Sequence, residues 1–313
     1  MNKLGAGPAG ATGSEPGGAG SEPGGATPIE RGPADLSTVR IAYDTDERAH
    51  SYEPEALWFE TEGIGGFWSP LYRQGWILSP PPRDAEVVRR VRDALIGAAG
   101  AAGSGELEWK CFSWDGDAPW YGDAALRDAG FAPGDEEAIL VADARAIADG
   151  LGGVGSDDVR SRGLEAAAAT VRAVTDISGD EAEEILNAAD TVHNQVWGEG
   201  QLPSTIARGY WSGDAVCSIH VAYLGNEPVA YGRFQATPGS RFGGLWSGAT
   251  IPAARGHGCY RALVVSRAGE ALRRGLPWLM VDANPETSMP ILVHNGFSEI
   301  GRTRPYMHSF NTG

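Results

Sequence analysis

The sequence predicts an α/β protein with a mixed α+β sheet, split between two domains. Three observations predict it: a length of 313 residues, an alternation of β-compatible and amphipathic helical runs in the second half, and a glycine-bearing turn set between a strand and a helix. A single core rarely grows to that length, so two domains are expected. Residues 1–35 are mostly Gly, Ala, Pro, Ser and Glu, and the segment GSEPGGA at 13–19 returns unchanged at 20–26. A disordered tail is expected there. A second glycine-rich stretch, 150–163, reads as a linker between a first domain at 36–149 and a second at 164–313.

Composition excludes several classes. Hydrophobic residues make up 42% of the chain, but no uninterrupted apolar run approaches membrane-spanning length and no basic-then-apolar leader opens it, so a cytoplasmic protein without membrane partners is expected. Cys111, Cys217 and Cys259 are widely spaced and form no CxxC pair. Neither a disulfide framework nor a structural zinc site is expected, and no metal. A formal charge of −16 and a pI near 4.8 disfavour nucleic acid and fit a neutral or cationic small molecule.

In the second half, 168–177 reads as a strand and 180–197 as a helix with Ala182, Ile185, Leu186, Ala189 and Val192 on one side. The runs 215–224 and 228–236, separated by Gly225, Asn226 and Glu227, read as a hairpin, with 245–251 as a third neighbouring strand. There follow the glycine turn, a helix over 260–274, a strand over 278–282, a short helix over 286–294 and a last strand pair over 297–307. The expected order is β-α-β-β-β-α-β-α-β-β. In the first half the clearest elements are a strand at 107–112, a helix at 123–128, the pair Gly130-Phe131 and a strand at 137–142.

The turn itself, Arg255-Gly256-His257-Gly258-Cys259-Tyr260, has the geometry that binds phosphate: a helix start presents unpaired amides and the positive end of the dipole. Arg255 can add a charge-assisted bond. A steric reason for the two glycines is the plain alternative.

Order and residues together resemble the GNAT superfamily of acyl-CoA-dependent N-acyltransferases, over about 168–308. The family's phosphate turn, Arg or Gln, x, x, Gly, x, Gly or Ala, falls on Arg255 to Tyr260, and the departure is Tyr260 in place of a small residue. Gly248, Ala249, Thr250 and Pro252 sit where the family lays pantetheine along exposed amides. A second motif, Asn284, Ser288, Ile291, Leu292 and Gly296-Phe297, resembles the signature after the family's fifth strand. The resemblance implies the acyl-CoA N-acyltransferase fold with acetyl-CoA as co-substrate. Its cofactor-binding positions are Gly248, Ala249, Thr250, Arg255, Gly256, His257, Gly258, Cys259, Tyr260, Asn284 and Ser288. The first half resembles a degenerate copy of the same unit, giving two tandem GNAT-like domains. Pro80, Pro81 and Pro82 remove backbone donors where its glycine turn would stand.

Acyl transfer from a thioester needs a neutral amine, an oxyanion donor and a proton for the thiolate. The resemblance implies a backbone donor near Ala249 or Thr250. The family's usual acid, a Tyr, falls on Leu292, and its usual strand carboxylate falls near Gly244, with no acid from Phe242 to Ile251. Substitutes are Ser288 for the thiolate, His220 as a base, and His193 and Glu199 at the first helix's end; each also has a plain structural reading. A covalent role for Cys259 is disfavoured, since no base stands near it. Of the ten tryptophans, Trp58, Trp68, Trp76, Trp109, Trp114 and Trp120 fall in the first domain, more than its core needs, and aromatic residues there can line a substrate cleft between domains. The expectation is a monomeric or homodimeric N-acetyltransferase acting on a small-molecule amine by direct transfer in a ternary complex. The competing reading is an acyl-CoA-binding protein or binding module without transferase activity.

Overall fold

The computed structural model describes residues 35–48, 53, 55–100, 103–114, 120–153, 169–176, 179–198, 200–212 and 216–311. The expected tail at 1–35 lies outside these except for Asp35, whose carboxylate accepts from the Ser37 amide and caps the first helix. Residues 154–163 of the expected linker are also outside. Its first four positions, 150–153, are helical and end a helix begun at Ala144.

In chain order the elements are α1 (Leu36–Tyr43), a single π turn (Asp44–Arg48), β1 (Leu57–Thr61), β2 (Ile64–Ser69), β3 (Gln74–Ile77), α2 (Ala85–Ala99), β4 (Ser104–Ser113), α3 (Asp123–Asp128), β5 (Ala132–Pro133), β6 (Glu137–Asp143) and α4 (Ala144–Gly153). The second half continues with β7 (Thr170–Val174), α5 (Asp180–Trp197), α6 (Pro203–Trp211), β8 (Val216–Leu224), β9 (Glu227–Ala236), β10 (Phe242–Thr250), a 3₁₀ turn (Pro252–Ala254), α7 (Cys259–Arg273), β11 (Trp278–Ala283), α8 (Ser288–His294) and β12 (Ser298–Asn311). Two expectations are corrected. The last strand pair is one continuous strand, β12, because all of it has partners: β6 along its first part and β4 from Arg302 to Asn311. The helix α6 was not expected; Pro203 at its first position presets φ without costing a hydrogen bond.

All the strands belong to one twelve-stranded sheet, in the order β1-β2-β3-β4-β12-β6-β11-β10-β9-β8-β7, with β5 paired to β12 off that path. The halves are interlocked. Closing strand β6 of the first half pairs with β11 of the second, and closing strand β12 of the second half pairs with β4 of the first. The two closing strands pair with each other. The repeat shows in local detail too. Gly130 and Gly296 both take left-handed φ, 89° and 95°, and the next amides, of Phe131 and Phe297, return to the carbonyls of Leu126 and Leu292 at 2.9 and 3.1 Å.

The sheet buries both faces. On one, α7 and α4 share a core with Phe234, Leu245 and Leu279, while α2 covers Ile77, Leu107 and Trp109. On the other, α5 and α6 pack on Cys217, Ile219, Val221 and Tyr231, and α1 lies over Ile139, Val141 and Met280 at the seam. Strand alternation assigns every residue between these faces. Among the described residues no helix is long and apolar enough to cross a membrane.

Candidate functional site

The glycine turn stands where the sequence places it, between β10 and α7. Gly256 and Gly258 have φ of 81° and 77°, and a Cβ at either would meet nothing within 4 Å. Glycine is therefore demanded by the backbone and not by crowding, and the turn opens to solvent. Gly258 is the N-cap of α7 and no side chain caps the helix. The amides of Cys259 and Tyr260 thus have no acceptor within the helix, and its positive end is exposed. Arg255 and His257 brace the turn: the Arg255 Nε donates to the Thr250 carbonyl at 3.3 Å, and the His257 Nδ1 lies 3.1 Å from the Arg255 carbonyl. Cys259 is buried and burial raises its thiol pKa, which keeps it protonated and unreactive.

The Tyr260 ring is turned under α7. A Cβ on Gly248 would lie 2.9 Å from its Cε2, so the ring rests on the bare backbone of β10. Its hydroxyl bonds Arg267, which is buried beneath the same helix. Gly248 supplies the room that a small residue at 260 would otherwise have supplied.

Beside the turn the sheet forks. The parallel pairing of β10 with β11 covers only Phe242 to Gly244 against Trp278 to Met280, yet β10 runs on to Thr250 and β11 to Ala283. A bulge between Trp246 and Ala249, with Ser247 at φ 53°, bends the β10 arm away from β9's register. Gly248, Ala249 and Thr250 lie on this arm, and the Thr250 Oγ1 is buried without a partner. The β11 arm ends in a turn organised by Asn284, whose Oδ1 accepts from the amides of Glu286 and Thr287 at 2.9 and 3.0 Å. Ser288 opens α8, its hydroxyl 3.4 Å from the Asn284 carbonyl.

The equivalent place in the first half is shut. Strands β3 and β4 are parallel over Gln74 to Ile77, but the Trp109 indole then donates to the Ser79 carbonyl at 2.8 Å and Pro81 packs on Gly122. The Asp84 carboxylate caps α2 by accepting from the Glu86 amide at 2.8 Å. That anion occupies the position where a phosphate would need free donors.

On the opposite face of the fork lies a cavity of about 470 Å³ built by both halves. Trp246 on one arm and Asp282 on the other both line it. The Trp246 indole folds back across Gly244, where an added Cβ would lie 2.4 Å from its Nε1, so the place expected for a strand carboxylate is covered by a ring. Asp282 supplies an acid from the neighbouring strand instead. Its Oδ2 holds Lys110 at 2.5 Å, and its Oδ1 is buried with no partner. Burial opposes the charge on Lys110, but Asp282, Glu108 and Glu137 together hold its pKa above the usual lysine value. Burial pushes Glu47 and Glu53 up to about 7. These residues were missed in the sequence because single charged residues, whether in apolar strands like Asp282 and Lys110 or outside them like Glu47 and Glu53, carry no spacing signal; the parity of Trp278, Met280 and Asp282 places all three on the cavity's face.

The expected acid–base residues do not gather at one point. His220 is fully buried beneath α7 between the hydroxyls of Ser218 and Ser266, at 2.9 and 2.8 Å, and burial, then Arg267 and Arg273, lower its pKa to about 3. It is a neutral structural group on the helix side of the sheet. His193 lies on the cavity's face: its Nδ1 is 2.9 Å from the Tyr231 hydroxyl, its Nε2 is buried without a partner, and Tyr231 pairs with Ala249 in the bulged arm. Glu199 lies outside the described residues. Leu292, at the position expected for a tyrosine acid, is fully buried in the core. Of the first-domain tryptophans, Trp76 lines the cavity, whereas Trp68 and Trp109 are core. Among the described residues no three His, Cys, Asp or Glu side chains converge to hold a metal.

No family model matches the sequence. No curated protein matches it either. Solved structures do match. A conserved protein of unknown function from Staphylococcus epidermidis is 13% identical, with 82% of this chain and 95% of that one covered at a TM-score of 0.55. A GCN5-related N-acetyltransferase from Kribbella flavida is 11% identical, with 89% and 94% covered at 0.54. A tandem GNAT protein from the clavulanic acid biosynthesis pathway is 12% identical, with 88% and 93% covered at 0.52. With the exchanged closing strands and the repeated Gly-Phe turns, these likenesses give the chain the acyl-CoA N-acyltransferase fold in its tandem form, two GNAT-like units in one polypeptide.

Proposed function

We propose that the chain is an N-acetyltransferase that moves an acetyl group from acetyl-CoA to a small-molecule amine by direct transfer in a ternary complex. One observation carries this reading: an uncapped helix start with two left-handed glycines stands beside a fork in the sheet, and a cavity opens on the fork's other face. Phosphates held at Gly256 to Tyr260 leave the pantetheine arm to run along Thr250, Ala249 and Gly248, which delivers the thioester to the fork. A neutral amine entering from the cavity attacks there, and amides of the bulged β10 arm receive the oxyanion. His193 takes the amine proton through the Tyr231 hydroxyl, and Ser288 donates a hydrogen bond to the departing thiolate. The second half holds acetyl-CoA and the first half walls the acceptor site, in a cytoplasmic monomer or homodimer that needs neither metal nor nucleic acid.

Incubation with acetyl-CoA and a panel of amines tests it through thiol release. A second reading, an acyl-CoA-binding protein without transferase activity, is favoured by the burial of Leu292 and the covering of Gly244 by Trp246. A rise in melting temperature with acetyl-CoA and no thiol release across the panel would support it.

A further inference from the structure

The cavity carries a charge pattern that attack by an amine does not by itself require. Glu47, Glu53, Glu108, Glu137 and Asp282 line it. Three cations, Arg48, Lys110 and Arg233, stand against these five carboxyl groups. Lys110 Nζ lies 2.5 Å from Asp282 and 3.6 Å from Glu137, Arg48 pairs with Asp44 at 2.8 Å, and Arg233 donates to the Tyr72 hydroxyl while standing 5.5 Å from the centre of the Tyr210 ring. One lysine therefore faces three carboxyl groups, since Glu108 also bears on it. Burial raises Glu108 and Glu137, and Lys110 opposes the rise.

Asp282 adds a second observation. Its side chain is 5% exposed, one oxygen holds Lys110, and the other is buried without a donor while the residue lines the cavity. A buried anionic oxygen left unsatisfied is costly unless a ligand donor reaches it. The rings of Phe67, Tyr72, Trp76 and Phe112 line the same space, and Arg48 already stands 5.0 Å from the centre of the Phe112 ring, as a cation does over an aromatic face. The nitrogen that attacks a thioester must be uncharged, so an excess of carboxylate serves another part of the acceptor.

We propose that the acceptor is a small organic polycation, an amine carrying at least one further ammonium group, held in this cavity with its attacking amino group donating to Asp282 Oδ1 and its second charge among the remaining carboxylates. The choice of acceptor rests on the acyl-transfer reading; the cation site does not.

Isothermal titration of the full chain at pH 8 with butane-1,4-diamine and with butylamine tests the site without any acyl donor. The diamine is expected to bind at least about tenfold more tightly, and Asp282→Asn to weaken diamine binding by about tenfold or more. The rise in melting temperature produced by acetyl-CoA should be unchanged in that variant. Glu137 is part-exposed, so Glu137→Gln gives a second variant with less risk to the fold, and the same loss is expected. Equal affinity for the two amines, or wild-type diamine binding in both variants, overturns the proposal. Diamine binding with no thiol release from acetyl-CoA upholds the cation site and overturns the transfer reading. Thiol release as fast with butylamine as with the diamine upholds the transfer reading and overturns the polycation as acceptor.

Discussion

Lys110 on β4 and Asp282 on β11 form an ion pair of 2.5 Å although β12 and β6 lie between their strands. The sheet must be concave on that face for the two side chains to meet, and Pro305, opposite Lys110 on β12, leaves the path between them open. The pair ties one half to the other over the exchanged strands. Lys110→Met leaves Asp282, Glu108 and Glu137 without their cation, and a loss of about 3–5 kcal/mol is expected near pH 8. The lysine's folded pKa lies above its unfolded value, so the stability it contributes is fully present at that pH and fades only as pH rises beyond the ordinary lysine range. Urea denaturation at pH 8 and pH 5 checks this: the deficit should be smaller at pH 5, because burial favours proton uptake by Glu108 and Glu137 and each proton removes a charge the lysine had balanced.

Glu47 and Glu53 give the fold a second pH dependence of the same sign in a lower pH window. Burial raises both to about 7 from an ordinary glutamate value of 4.5, so the folded chain binds more protons than the unfolded one between those limits. Melting temperature should fall as pH rises from about 5 to about 7.5, and Glu47→Gln should remove part of that slope. A saturating polycation should also flatten it by stabilising the ionised carboxylates.

What the sequence showed and what it hid divide by distance along the chain. The glycine turn was legible because left-handed φ at Gly256 and Gly258 is a local demand met by a local residue. The hairpin at Gly225 and the strand–helix order after Phe242 were legible for the same reason. The exchange of β6 and β12 was not, since β6 is a continuous apolar run that would suit any central position and the partner of each strand is set by the other half. Asp282 stayed hidden because its meaning depends on Lys110, 172 positions away. Tyr260 read as an obstacle until the bare backbone of Gly248 showed where its ring goes.

The two histidines should separate in kinetics. With its pKa lowered to about 3, His220 is neutral across the working range, so His220→Ala should leave the pH profile of kcat unshifted. It leaves a cavity and the hydroxyls of buried Ser218 and half-buried Ser266 unpaired, for a stability loss of about 2–4 kcal/mol. His193→Gln should lower kcat with little change in stability. Equal kinetic damage from both would argue against a proton path through Tyr231.

The closed first half predicts one acyl-CoA per chain. Trp109 on Ser79 and Asp84 on the first turn of α2 remove the opening and the donors that the second half retains. Calorimetric titration with acetyl-CoA should give a stoichiometry near one. Asp84→Ala should cost about 1 kcal/mol through the lost cap and leave that stoichiometry unchanged.

Gly258 and Tyr260 make opposite predictions from neighbouring positions in one turn. A side chain at Gly258 meets no atom within 4 Å but must hold φ near 77°, a conformation that costs roughly 1–2 kcal/mol for an L-residue. Gly258→Val should therefore stay folded, tilt the first amides of α7 away from their common focus and abolish the rise in melting temperature with acetyl-CoA. Tyr260 packs beneath the helix on Gly248 and Arg267, so Tyr260→Ala opens a cavity and removes a partner from a buried guanidinium. A stability loss of about 3–5 kcal/mol is expected, with acetyl-CoA affinity kept within a few-fold because the amides themselves are untouched. Differential scanning fluorimetry of both variants across an acetyl-CoA titration reads both effects at once. A Tyr260→Ala protein that stays folded and loses acetyl-CoA binding would show that the ring, and not the bare helix start, holds the cofactor.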